Sequence, residues 1–481
     1  MAKQIKRRKR KTKKSSHFQP PSTTEKRHKW ILLSAIIVCI AIAGLFWMKY
    51  FSGPDEKSQK TKLRIDSTTG PDISVLTDEE KIAALKTEQM QLAQQLLRDF
   101  PGSDATVALV GSVYEQHGNN IEAVKFFNKA LELNPNRADV YSALGWIAFM
   151  KEEYEEAITL RRRALEIDAN LPGLRSAIAS AMMMVGRHTE AIEQLEQNVQ
   201  FFPKSVHSHF LLGQAYLQQK DYENAKKHYK RAIELDKNHV NAYYGLFTAC
   251  SRLKQQDEAS EYQAIFKNLK AEERKGLKDR KVAFDDAIEM QKAVAETYMH
   301  AGKMYQDQGK PEKAQDLMER AVALEQKNTL YLMELASSYG MSNRMTEALE
   351  VHKTISEIEP QNPVCFLNIG VISAQLKRFE DAEEALLTVI KLAPKESSGY
   401  RLLAQLYLEA QRNLPKTREL AEKALAFEAT AFNYFLLGWA CDVNGDTADA
   451  FSALKRAVEL DPKNPKYQQM LMYIKEKELI K

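Results

Sequence analysis

The stretch Val206–His239 reads VHSHFLLGQAYLQQKDYENAKKHYKRAIELDKNH and is 34 residues long. Apolar and small residues recur at spacings of three and four in both halves, which places them on one side of each of two helices. Gly213 and Ala225 are small where these helices must approach each other closely, and Tyr229 fills the space beside them. A turn near Lys220 separates the halves, so the stretch predicts a helical hairpin.

The same 34-residue period recurs through most of the chain. The first repeat of the pattern starts at residue 104, and its key positions are Gly111, Tyr114, Ala123, Phe127 and Ala130. This pattern resembles the tetratricopeptide repeat, a helix–turn–helix unit. About ten repeats fit, the ninth only with one extra residue in its turn near Pro415. The resemblance implies an all-α fold, an α-solenoid in which the hairpins stack into a right-handed superhelix.

The period and its interruptions predict eight segments. Thr77 begins a helix with Glu80 three residues on, a possible capping box, and this helix resembles the second half of a repeat that covers the open end of the array. The interruption after the fifth repeat is densely charged, and either a hinge or one long helix would suit it. The segments are a basic cytoplasmic tail (1–29), a transmembrane helix (30–51), a flexible linker (52–76), an N-terminal capping helix (77–103), a first array (104–264), a helical joint (265–294), a second array (295–463) and a C-terminal capping helix (464–481).

Charge is distributed unevenly along the chain. Residues 1–29 hold twelve Lys and Arg against the single acid Glu25, so the net charge of +5 is the difference between +11 in the tail and −6 in the rest. The basic run could be a nucleic-acid or nuclear-localisation arm, an anionic-lipid contact or a topology signal. The apolar segment that follows favours the topology signal, and no nucleic-acid partner is expected.

That apolar segment, WILLSAIIVCIAIAGLFWM from Trp30 to Met48, carries no charge. It would span about 28 Å as a helix, close to the hydrocarbon thickness of a bilayer. More Lys and Arg precede it than follow it, so the positive-inside rule keeps the tail in the cytoplasm and exports the body. Two alternatives are a signal peptide cleaved near Ala43 and lipoprotein processing at Cys39, which the large Val38 disfavours.

The sequence offers no catalytic, cofactor or metal site. Phosphate-binding loops, HExxH, haem-attachment, GxSxG and GxGxxG motifs do not occur. His207 and His209 are two residues apart and face different sides of a helix, which makes them a poor metal pair. The cysteines have no metal spacing, and Cys250, Cys365 and Cys441 fit as small buried residues. We therefore expect a protein that is not an enzyme and holds no cofactor.

The resemblance also implies a binding site. In the resembled family the first helices of the repeats line a concave groove, and the matching positions here are largely apolar or aromatic. Aromatic side chains in concave sites supply much of the energy of peptide recognition. Each of these residues could instead pack against a neighbouring repeat. The residues predicted to line the groove are Trp146, Phe210, Tyr244, Met299, Met333, Leu367, Phe435 and Trp439.

These observations predict a membrane-anchored, non-catalytic scaffold that binds protein or peptide partners outside the cytoplasm. A bacterial inner membrane, with the body on its periplasmic face, is the preferred setting, because the chain has no Asn-x-Ser/Thr glycosylation site. A eukaryotic type II membrane protein stays open. The alternatives in function are a substrate-presenting or assembly subunit of a membrane-associated enzyme complex, and a homo-oligomer.

Overall fold

The structure, a computed structural model, describes residues 76–279 and 282–479. The chain divides into two units, and all described residues belong to the second, Lys62–Lys481. The predicted tail, the predicted membrane span and the linker up to residue 75 therefore lie outside the described residues. None of the described helices is both long enough and apolar enough to cross a membrane.

The described residues form 22 α-helices and no strand, which confirms the predicted all-α repeat fold. Helices α2 to α21 form ten consecutive hairpins, and each hairpin packs against the next within its array. The helices are Asp78–Asp99 (α1), Asp104–Gln116 (α2), Asn120–Leu133 (α3), Ala138–Met150 (α4), Tyr154–Ile167 (α5), Leu174–Met184 (α6), His188–Phe201 (α7), Val206–Gln218 (α8), Tyr222–Leu235 (α9), Val240–Arg252 (α10), Gln256–Asp279 (α11), Val282–Asp307 (α12), Pro311–Leu324 (α13), Thr329–Met341 (α14), Met345–Ile358 (α15), Pro363–Gln375 (α16), Phe379–Leu392 (α17), Ser397–Glu409 (α18), Leu414–Phe427 (α19), Ala431–Val443 (α20), Thr447–Leu460 (α21) and Pro465–Leu479 (α22).

Every hairpin turns through one residue of positive φ. The residue after it closes the turn with a backbone hydrogen bond of the Schellman type, as from the Asp221 N–H to the Tyr216 carbonyl at 2.9 Å. Only four of the ten turns use glycine, so most accept the cost of a left-handed residue that carries a side chain. The positive-φ residues are Gly118, Glu152, Gly186, Lys220, Lys254, Gly309, Asn343, Lys377, Gln411 and Gly445.

Two local predictions can be compared with the structure. Thr77 caps α1 in a full capping box, in which the Glu80 carboxylate accepts from the Thr77 backbone N–H and the Thr77 hydroxyl accepts from the Glu80 N–H. The extra residue of the ninth repeat is Asn413, a second left-handed residue in that turn. Helix α19 consequently begins one residue later than the period requires.

Helix α1 does more than cover the end of the first array. It packs on α2, and on its other side it packs on α12, the first helix of the second array. Leu85, Leu92 and Leu96 belong to the same buried cluster as residues from α12 to α17. These apolar side chains are covered by the second array, and α1 is therefore an internal helix between the two arrays.

Polar contacts fix how α1 lies against the second array. The Gln89 amide donates to the Thr297 hydroxyl at 2.8 Å, and ten residues later Asp99 accepts from the Tyr305 hydroxyl. Positions along α1 and α12 increase together, so the two helices run parallel. Glu88 of α1 accepts from Arg320 of α13 through both carboxylate oxygens, at 2.8 and 3.0 Å.

Candidate functional site

The first helices of the hairpins carry the predicted groove residues, and the structure places them in three environments. Trp146 and Tyr244 are exposed, at 47% and 53% of their surfaces. Four are half-buried: Phe210, Met333, Leu367 and Trp439. The other two, Met299 and Phe435, are each only 4% exposed. A ligand could therefore contact six of the eight without a change in packing.

Met299 and Phe435 are core residues because their helices have neighbours outside the repeat pattern. Met299 lies on α12 and belongs to the cluster that includes residues of α1. Phe435 is covered by α22, whose Tyr467 stacks on it with ring centroids 5.0 Å apart. The groove prediction is therefore wrong for these two residues.

Aromatic contacts hold the exposed tryptophan in place. The Trp146 ring stacks on Phe149 with centroids 6.3 Å apart, and Phe149 in turn meets Tyr154 edge-on and carries the Arg161 guanidinium over its face. Because these neighbours limit its rotation, Trp146 is a rigid apolar surface that loses little side-chain entropy when a partner binds.

Sequence reasoning missed a cleft between the arrays. A cavity of about 330 Å³ lies where the first helices α2 and α4 meet α12. No sequence pattern predicts this cleft, because it forms only where α12 packs beside α2, which lies far away in the sequence. Its lining includes Leu109, Ser112, Gln116, Arg137, Asp139, Glu296, His300, Lys303 and Asp307.

Most charges of this cleft are neutralised within the protein. Arg137 donates to Asp104 and Asp139, and Lys303 pairs with Glu334 at 2.7 Å. Burial opposes the ionisation of Asp139, but its hydrogen bond and ion pair with Arg137 outweigh this effect and lower its pKa. The cleft thus presents a polar surface on which Arg137, Asp139 and Lys303 are held by ion pairs.

The described residues offer little for catalysis. They contain no group of three or more His, Cys, Asp and Glu side chains that could hold a metal ion. His209 lies beside His228, with their Nδ1 atoms 3.2 Å apart, and burial lowers the pKa of His228 to about 4. Cys250, Cys365 and Cys441 are buried, as predicted, and burial raises the pKa of Cys441 to about 11, which makes a poor nucleophile.

Comparison with known proteins gives relatives that are mostly longer. The chain is 31% identical over 127 residues to anaphase-promoting complex subunit 3 of Schizosaccharomyces pombe, covering 26% of this chain and 19% of that protein. It is 22% identical over 256 residues to the human mitochondrial import receptor subunit TOM70, covering 50% and 37%. With a BBSome complex member BBS4 homolog of Drosophila melanogaster it shares 20% identity over 353 residues, covering 72% and 63%. The chain spans between about a fifth and a third of the first three relatives.

Solved structures and family models were compared as well. A crystal structure of MamA matches 34% of this chain and 97% of its own, at 20% identity and a TM-score of 0.32. Yeast Tom70 matches 78% and 96%, at 13% identity and a TM-score of 0.32. Family models described as tetratricopeptide repeat match residues 73–201, 207–239, 295–328, 341–406 and 433–464. Because these matches fall in both arrays and coincide with the observed hairpins, the chain belongs to the tetratricopeptide repeat family.

Proposed function

We propose that the protein is a non-catalytic scaffold that binds protein or peptide partners on the first helices of its repeats. The observation that carries this proposal is the apolar surface that the fold leaves uncovered there. Trp146, Tyr244 and Leu330 are 47%, 53% and 69% exposed, and each lies on a first helix. Large apolar side chains are costly to leave in water, and rigid aromatic ones act as anchors in protein interfaces.

The relatives support the proposal by their printed names. They include a receptor subunit, a subunit of the anaphase-promoting complex and a member of the BBSome complex. Two of these names describe parts of protein complexes, and the third describes a receptor subunit. A role of the same kind for this chain follows from its shared repeat and its exposed first-helix surface.

Truncation of the exposed tryptophan tests the binding role. With a photo-activatable cross-linker at Tyr244, we expect the parent chain to trap a discrete partner in its native membrane. Trp146→Ala should reduce that cross-link by about tenfold, because loss of an anchor side chain costs more than about 1 kcal/mol of binding free energy. Helix content should not change.

The matched control is Phe201→Ala, which removes a similarly exposed aromatic ring from the end of the second helix α7, where 51% of its surface is exposed. This variant should cross-link like the parent. Equal yields from the Trp146→Ala and parent chains would exclude the proposed binding surface.

We also propose that residues 30–51 anchor the protein in a bacterial inner membrane, with residues 1–29 in the cytoplasm and the repeats exported. Support comes from the uncharged run Trp30–Met48 and the twelve basic residues before it. Alkaline phosphatase fused after residue 76 should be active, and its activity should fall when the basic residues of 3–14 become glutamine. A fusion that is inactive in the parent would show that the repeats stay in the cytoplasm.

A second candidate function is that of a substrate-presenting or assembly subunit of an enzyme complex. It is favoured by matches to two human proteins named protein O-mannosyl-transferase, TMTC1 and TMTC3, which cover 52% and 65% of this chain. An enzymatic activity that co-purifies with the full chain, and is lost when the partner is stripped away, would support this role over that of a simple binding scaffold.

A further inference from the structure

One half-buried arginine of the second array lies against an aromatic ring and pairs with no carboxylate of the described residues. Arg401 lies on the first helix α18, and its guanidinium carbon is 5.7 Å from the centre of the Phe432 ring. Its Nε is buried and has no hydrogen-bond partner, and the side chain makes no ion pair among the described residues. By contrast, Arg412, Arg418 and Arg344 all pair with carboxylates.

No other repeat has a charged residue at the position that Arg401 occupies in its own repeat. The residues that precede it by successive periods in the second array are Leu367 and Met333, and Phe435 follows it by one period. The first array has only small, polar uncharged or aromatic residues there: Ala108, Ser142, Ser176, Phe210 and Tyr244. A single cation in this row is therefore a local exception in a surface that is otherwise apolar or neutral.

Two carboxylates that follow Arg401 in the chain have hydrogen-bond partners of their own. Glu428 accepts a hydrogen bond from the Ser397 hydroxyl at 2.6 Å, and Glu409 accepts from the Gln405 amide at 2.8 Å. Glu409 is also eight residues from Arg401 along the helix, or about 12 Å. A guanidinium has five donors in a fixed plane and binds carboxylates through two parallel hydrogen bonds. Because the Nε is buried, the two Nη groups are the donors left for a carboxylate from outside the chain, and the charge and planar geometry of the guanidinium suit one.

The surface on both sides of Arg401 decides which carboxylate fits. The preceding first helix α16 presents half-buried Leu367 and Val371, and the following helix α20 presents half-buried Phe432 and Trp439. Both helices pack against α18. A partner peptide whose C-terminus bound Arg401 would leave the apolar residues of either α16 or α20 uncovered. A peptide that continues past Arg401 can cover both.

We propose that Arg401 binds an acidic side chain within an extended partner peptide, with apolar residues of that peptide lying on the flanks of α16 and α20. This inference rests on the proposed function and adds the chemistry of the partner. It assigns to Phe432 the role of holding the guanidinium in place, through a cation–π contact that does not use the hydrogen-bond donors.

Peptide arrays and fluorescence anisotropy with the full chain test the proposal. The probes are fluorescent nonapeptides blocked at both ends, with a central glutamate or glutamine between varied Leu, Phe and Val residues. We expect the glutamate peptides to bind about tenfold tighter than their glutamine counterparts. In Arg401→Gln this ratio should fall to about one, and in Arg401→Glu a central lysine should become the preferred residue.

The control is Arg175→Gln, because Arg175 also lies over a phenylalanine, Phe201, at 5.5 Å but donates to the Ala169 carbonyl. It should keep the parent ratio. Equal binding of glutamate and glutamine peptides to the parent, or tighter binding of a free C-terminal carboxylate than of the internal glutamate, would overturn the inference and leave the proposed function intact. If no peptide bound, and Trp146→Ala also left partner cross-linking unchanged, both would be wrong.

Discussion

Replacing Glu88 by alanine should lower the free energy of opening between the two arrays by about 3–5 kcal/mol, because it removes one partner of a buried ion pair. The side chains of Glu88 and Arg320 are only 7% and 5% exposed. Glu88 also accepts from the Tyr298 hydroxyl at 2.9 Å, so the substitution removes a second buried hydrogen bond. Few other single changes in the described part of the chain combine the loss of a charge and of a hydrogen bond at such depth.

Amide hydrogen exchange measures this effect where it occurs. A repeat array opens segment by segment, and exchange reports the free energy of each segment. We expect faster exchange in Leu85–Leu96 and Met290–Tyr305, and parent-like exchange in the distant helices α20 and α21. The matched control is Glu122→Ala, which breaks an exposed pair with Lys125 and should cost less than about 1 kcal/mol.

The double substitution Glu88→Met with Arg320→Met separates the two contributions. It removes both charges and keeps the volume, so protection should return close to that of the parent. If Glu88→Ala alone left exchange in α1 and α12 unchanged, the ion pair would not hold the arrays together.

Most of the fold follows from the sequence because each repeat is defined by local chemistry. Spacings of three and four define the helices, and residues such as Gly213 mark where two of them touch. The period even indicates an extra residue in the turn near Pro415, and the structure places it at Asn413. Each hairpin then packs only against its neighbours, so the spacing of apolar residues that describes one hairpin also describes the next.

The packing of α1 against the second array could not be predicted, because its contacts join residues more than 200 positions apart. One signal was present: Glu88 and Gln89 lie on the face of α1 that Leu92 and Leu96 make apolar, where an ordinary core face would have only apolar residues. Such a pattern indicates a buried polar contact, but it does not name the partner. Arg320 becomes that partner only when α13 is placed beside α1.

The groove prediction fails for the same physical reason. Trp146 has hairpins of its array on both sides, Tyr244 lies in the last hairpin of the first array, and both are exposed. Met299 lies in the core cluster that α1 completes, and Phe435 lies beneath α22. A rule for repeat positions cannot describe residues whose neighbours are not repeats, and Arg401 shows that it also cannot foresee which charges stay unpaired.

Replacing Tyr229 by alanine should cost about 3–5 kcal/mol, the range for removing a large buried aromatic side chain. The ring is 2% exposed and lies between two glycines, Gly213 in its own repeat and Gly245 in the next. One side chain thus packs both within and between hairpins, and its loss leaves a cavity at each contact. Urea denaturation of the full chain, with hydrogen exchange in α8 to α10, measures the cost. Tyr229→Phe keeps the ring and should behave like the parent.

The fit between Tyr229 and its glycines predicts a reversal of sign. A Cβ added at Gly213 would lie 2.6 Å from ring atoms of Tyr229, so Gly213→Ala should destabilise the parent by about 1–3 kcal/mol through overpacking. In a Tyr229→Ala background the clashing ring is absent, and the same change should instead stabilise by up to about 1 kcal/mol, because a helix interior favours alanine over glycine. Destabilisation of equal size in both backgrounds would show that the ring does not require a glycine at this position.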